Sequence, residues 1–141
     1  MMYKDKDKFI KLVQKYLDNE SGFTESMGFK IIDYVDGKLY GEAPLKEEYL
    51  NSIRTGHGGY LATIVDSFAG NACVFAEGPY DSAVQVTMSC NINFLRPALH
   101  GPLKVEAFPV KLGKHIKVCQ VDIFDAEGYQ VLTSISNMYI G

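Results

Sequence analysis

Between residues 51 and 66 the chain gathers Asn51, His57, Gly58, Gly59 and Asp66, a set that can bind an oxygen and move a proton. His57-Gly58-Gly59 opens a predicted helix in which Asp66 is the only formally charged side chain before Glu77. Backbone N–H groups at a helix start have no partner within the helix and lie at the positive end of its dipole. They suit the oxygen of a polarised carbonyl, and glycine lets a ligand come close to them. Asp66 supplies the other half of an acyl-transfer site, because a carboxylate among small neighbours can serve as base or nucleophile. Eight residues of helix hold the two positions about 12 Å apart, too far to serve one carbonyl. The spacing therefore predicts a homodimer with two composite sites, Gly58 of one chain meeting Asp66 of the other between antiparallel central helices.

The helix itself has two sides. At about 100° per residue, Leu61, Val65, Phe68, Ala72 and Phe75 form one stripe, which must face a sheet. Asp66 falls on the far side with Gly59, Ala62, Thr63, Gly70 and Cys73, all small, where a solvated helix would carry Lys and Glu. The preceding Asn51-Ser-Ile-Arg-Thr-Gly is loop and turn chemistry.

Other elements must position this unit. Phe9, Ile10, Leu12, Val13, Tyr16 and Leu17 recur at helical spacing and predict a helix over 6–18, acting as a lid or a cap. Residues 28–43 read as two short strands around Asp36-Gly37, a hairpin turn dipeptide. From Val84 to Phe94 the even positions are apolar, and the odd ones, Gln85, Thr87, Ser89, Asn91 and Asn93, are polar and uncharged. That alternation predicts a strand, and its uncharged face predicts cover by another subunit, hence a dimer of dimers. Further strands are expected near 103–111, 116–125 and 129–140, joined by Leu112-Gly-Lys and Asp125-Ala-Glu-Gly. One long helix against an antiparallel meander is an α+β layout. With no repeat, low-complexity tract or break in composition, residues 1–141 read as one domain, of which 1–20 are an N-terminal helix extension.

Composition excludes several classes. Fourteen basic against 17 acidic side chains, a net charge of −3, give no basic field for nucleic acid. Three cysteines, Cys73, Cys90 and Cys119, are an odd number without CxxC spacing and lie in apolar segments, as reduced core thiols do. No apolar run is long enough for a signal peptide or a membrane helix, so a soluble cytoplasmic protein is expected. His57, His100 and His115 are too dispersed for a zinc set, and GxxxxGK[ST], GxGxxG and Gly-x-Ser-x-Gly are all absent. No metal and no cofactor are expected.

Asn51, His57-Gly58-Gly59 and Asp66, followed by a strand ending Asn91-Ile-Asn-Phe-Leu-Arg-Pro-Ala98, resemble the hotdog-fold acyl-CoA thioesterases of the phenylacetic-acid-pathway type and the related human thioesterase superfamily members. The resemblance runs from about residue 25 to the C-terminus. It implies a long helix wrapped by a curved antiparallel sheet, dimers joined edge to edge, dimers paired into tetramers, and hydrolysis of an acyl-CoA to free acid and Coenzyme A, which enters as part of the substrate. By the same resemblance Gly58 N–H polarises the thioester carbonyl and Asp66 of the partner subunit is general base or nucleophile. Asn51 holds the water or leaving group, His57 shapes the loop, and Thr87 orients the attacking water. Gly59 would border the substrate, and Lys111, Lys114 and His115, with Lys117 nearby, flank a hairpin that could meet the nucleotide phosphates. Tyr60, Phe68, Phe75, Tyr80 and Phe94 could shape the acyl pocket. A hotdog dehydratase is disfavoured because it would want a histidine in the substrate tunnel. The alternative from another class is a non-catalytic acyl-CoA-binding or sensory module.

Overall fold

Two hydrophobic periodicities, one helical and one alternating, set the architecture. The computed structural model describes residues 5–19, 23–74 and 85–140. Its elements are α1 (Lys6–Asn19), β1 (Lys30–Val35), β2 (Lys38–Ala43), α2 (Gly58–Val74), β3 (Gln85–Phe94), β4 (Leu103–Leu112), β5 (Ile116–Phe124) and β6 (Gln130–Ile140). The strands form one antiparallel sheet in the order β1-β2-β4-β5-β6-β3. Helix α2 touches β2, β4, β5, β6 and β3, so the sheet wraps it. This is the α+β hotdog arrangement, with α1 as the extra N-terminal helix. Among the described residues no helix is long and apolar enough to cross a membrane.

Every expected strand is present, with ends within a few residues of the expected ones. The first hairpin turns at Asp36 and Gly37, whose φ angles of 51° and 81° are both left-handed, as a two-residue turn of this hand requires. Leu39, Ala43, Leu103, Val105, Ala107, Cys119, Val121, Ile123 and Leu132 face inward and are buried against α2. The outer face of β2 and β4 carries cross-strand ion pairs, Lys38 with Glu106 at 3.1 Å and Lys104 with Glu42 at 2.5 Å.

Helix α1 is a cap, not a lid. Phe9, Val13 and Leu17 are buried, and Phe9 stacks on Tyr34 with ring centroids 4.1 Å apart. Its Gln14 reaches the outer edge of β1, where Oε1 accepts from Ile31 N–H at 2.7 Å and Nε2 donates to the Phe29 carbonyl at 2.9 Å. Lys6 pairs with Asp33 at 2.5 Å on the same strand. These contacts satisfy backbone groups that an edge strand would otherwise present to another chain. They also place α1 at the end of the sheet opposite β3.

Several expectations are corrected. Gly70 and Cys73 are buried, because the sheet closes round the C-terminal half of α2; among the described residues of the helix, Gly58, Gly59, Ala62, Thr63, Asp66, Ser67 and Asn71 remain partly or fully open. Cys73 and Cys119 are core thiols as expected, and their mutual hydrogen bond, with burial, pushes the Cys119 thiol up. Cys90 is exposed, since β3 is an edge strand; its sulfur accepts from the buried Ser136 hydroxyl at 3.2 Å. Phe75, Tyr80 and Val84 lie outside the described residues.

The unbroken alternation of β3 is also interrupted. Thr87 pairs with Met138 and Ser89 with Asn137, which leaves Met88 as an extra residue in a bulge. Beyond the bulge Ser89, Asn91 and Asn93 face outward as expected. Before it the phase reverses, so Thr87 shares the inner face with the buried Met138.

Rotation of α2 about its axis is set by Phe68, which is fully buried against Gly41 of β2; any Cβ at position 41 would overlap the Phe68 ring. Gly41→Ala should therefore destabilise the fold by about 1–3 kcal/mol through overpacking. A lower urea midpoint at unchanged slope would register this.

Candidate active site

Helix α2 begins in a tightly pinned loop. Asn51 organises it: Oδ1 accepts from Ile53 N–H and Thr55 N–H at 3.1 Å each, and Nδ2 donates to Thr55 Oγ1 at 2.8 Å. Arg54 takes the left-handed conformation, φ 68°, at the turn. Gly56 N–H donates to the Ala98 carbonyl at 2.8 Å, tying the loop to the segment after β3, and a Cβ at Gly56 would lie only 3.0 Å from Ala98 Cβ. His57 N–H donates to the Tyr49 carbonyl at 2.8 Å. Tyr60 anchors the first turn, donating its hydroxyl to the Pro44 carbonyl and stacking on Tyr49 at 4.1 Å. Burial raises its hydroxyl well above the ordinary tyrosine range, so it remains a donor.

His57 is the cap of this helix. Its Nδ1 accepts from Gly59 N–H at 2.8 Å, and its carbonyl accepts from Leu61 N–H at 3.0 Å. A ring nitrogen that accepts carries no proton, so this imidazole holds a helix terminus. The amide of Gly59 is thereby occupied, and its carbonyl accepts from Thr63 Oγ1 at 2.9 Å. Gly59 offers a ligand only a bare surface. The amide of Gly58, by contrast, has no acceptor among the described residues and is partly exposed. The ring of Phe94 lies beside it: a Cβ at Gly58 would sit 3.5 Å from Phe94 Cζ.

Two turns along, Asp66 emerges on the open strip of α2. Thr87 Oγ1 donates to Asp66 Oδ1 at 2.7 Å, a bond made within one chain. Oδ2 has no partner among the described residues. Because the Thr87 proton is committed to Asp66, the hydroxyl oxygen keeps only acceptor capacity, which can align a water whose other proton points at the carboxylate. Regular alternation would have turned Thr87 outward, so strand periodicity could not have found this pair; the bulge at Met88 creates it.

The other expected residues are placed as follows. The Asn51 carboxamide is engaged in its own loop. Lys111, Lys114 and His115 are exposed on the β4–β5 hairpin, with His115 stacked on Tyr139 at 6.1 Å. Lys117, Met138 and Thr87 are in register across the sheet, which puts this hairpin at the Thr87 end and Phe94 at the other. Lys117 does not flank the hairpin surface: it is 4% exposed, since odd positions of β5 face inward. Arg96 lies over the Tyr129 ring, 4.3 Å from its centroid. Among the described residues no three His, Cys, Asp or Glu side chains gather as a metal site. Chemically, one region offers an open amide at the positive end of a helix and another a carboxylate aligned by a hydroxyl. Within one chain they remain about 12 Å apart along the helix.

The family model described as Thioesterase superfamily matches residues 55–132, which include His57, Gly58, Asp66 and Thr87 and leave out Asn51. Among curated proteins the chain is similar to acyl-coenzyme A thioesterase 13 of Homo sapiens, 29% identical over 116 residues covering 81% of each chain. Two solved structures share the fold. One is the PaaI protein from the phenylacetic acid degradation operon of E. coli, with TM-score 0.79, 24% identity, and 94% and 93% of the two chains covered. The other is a hypothetical thioesterase protein with Coenzyme A from Streptococcus pneumoniae, with TM-score 0.74, 26% identity, and 94% and 96% covered.

The cap gives a direct test. His57→Ala removes the acceptor of Gly59 N–H and should cost about 0.5–2 kcal/mol of stability, whereas His57→Asn, which retains a side-chain acceptor, should recover most of it. Chemical denaturation measures the loss, and faster hydrogen exchange at the Gly59 amide would locate it.

Proposed function

Since this chain belongs to the thioesterase superfamily, whose family model spans more than half of it, we propose that it hydrolyses acyl-coenzyme A thioesters at a site shared between two copies. The observation that carries this reading is the Thr87–Asp66 hydrogen bond on the one open strip of an otherwise uncharged helix. Gly58 N–H of one protomer binds the thioester oxygen, and Asp66 of the partner subunit acts on the reacting carbon. As general base, Asp66 takes a proton from water while the water oxygen bonds to the carbonyl carbon. The carbonyl oxygen gains charge against Gly58 N–H, and the C–S bond then breaks as the thiolate leaves and is protonated. As nucleophile, Asp66 displaces the thiolate to give an anhydride that water opens. Single turnover in heavy-oxygen water separates the two, since label enters Asp66 only by the second route.

Water is the only co-reactant, so no metal or cofactor is required. Among the described residues strand β3 ends the sheet with one edge unpaired, which supports its pairing with β3 of a second copy. Lys111, Lys114 and His115 are the proposed contacts for the Coenzyme A phosphates, at the sheet end that carries Thr87. On the outer face of β3 and β6, Ser89, Asn91, Asn93, Thr133, Ile135 and Asn137 form an area without charged side chains, bordered by Asp122 of β5, which supports pairing of dimers there.

Two variants test the shared site. Asp66→Asn should lower kcat by about 10²–10⁴ with substrate binding retained. Gly58→Pro removes the N–H at the helix position where proline is best tolerated, and should also abolish turnover. Mixing the two inactive chains with subunit exchange should restore about a quarter of wild-type activity, because half the dimers are hybrids with one intact site of two. No recovery in proven hybrids would sink the shared site.

A further inference from the structure

We infer that Phe94 is the residue that selects the acyl group, favouring acyl chains that are apolar at the first carbons beyond the carbonyl. This inference rests on the thioesterase reading of Gly58. Past the Met88 bulge the even residues of β3 face the helix side, and Phe94, the last of them, reaches the start of α2. Its ring would lie 3.5 Å from a Cβ on Gly58, which puts it in van der Waals reach of whatever fills that space. A carbonyl oxygen bound to Gly58 N–H sits about 3 Å from the nitrogen, so its carbon and the next atoms of the acyl chain come alongside the ring.

The ring is well placed for that contact. Phe94 packs against Gly58 yet remains 55% exposed, so an apolar group laid on it removes further apolar surface from water. No formally charged side chain occurs from 55 to 65. A hydroxyl at the second carbon beyond the carbonyl would be stripped of water here with nothing on the ring to bond it.

The test compares butanoyl-CoA with 3-hydroxybutanoyl-CoA, which differ only by that hydroxyl. Wild type should prefer the first by about tenfold or more in kcat/KM, within what an apolar pocket can discriminate. Phe94→Asn should bring the ratio close to one, and Phe94→Leu, which stays apolar, should keep it within about threefold of wild type; thermal melting verifies that each variant is folded, and Phe94→Ala replaces Phe94→Asn if the latter does not fold. An unchanged ratio in the folded polar or truncated variant overturns the role of Phe94 and leaves the thioesterase reading intact. Failure of the wild type to hydrolyse either ester or any other in an acyl-CoA panel overturns the reading on which the inference rests.

Discussion

A phenyl ring seated where a glycine has no side chain fixes the rotation of the central helix, and the geometry of the site follows from that fit. Phe68 enters the sheet at Gly41. Asp66, two residues earlier, is rotated about 200° from Phe68 and so leaves the sheet on the other side. An ionised carboxylate could not be buried unpaired in such an apolar helix. The rotation that Phe68 imposes brings it out beside the terminal strand, where the Thr87 hydroxyl meets it. Interdigitation of one ring with one bare backbone position thus decides where the only charge of α2 emerges.

Position along the helix is set separately, by its first turn. Asn51, Gly56, His57 and Tyr60 each use local bonds to hold the entry to α2, and together they occupy the neighbouring amides while Gly58 N–H stays open. The Asn51 carboxamide makes its hydrogen bonds within the loop, and His57, expected to shape that loop, caps the helix. Together these bonds hold the Gly58 amide where it is.

The elements were legible because each obeys a simple period. Alternation marks β4, β5 and β6, the left-handed pair Asp36-Gly37 marks the first hairpin, and the helical recurrence of Phe9, Val13 and Leu17 marks α1. What escaped notice depends on parity or on wrapping. A single extra residue at Met88 reverses the facing of Thr87, and alternation read along β3 alone cannot detect that its partner strand lacks a matching residue. Lys117 is charged yet lies on the inner face, because parity along β5 outweighs residue type. Gly70 and Cys73 share the side of Asp66 on a helical wheel but are enclosed, since a wheel does not record how far a sheet curls.

The glutamine of α1 has a consequence for how large an assembly can become. With Gln14 holding the Ile31 amide and the Phe29 carbonyl, the start of the β1 margin is taken from an incoming chain, while among the described residues the β3 margin has no strand beside it. Strand addition between the β3 margins of two copies would consume both margins, so growth by that contact would close at a pair.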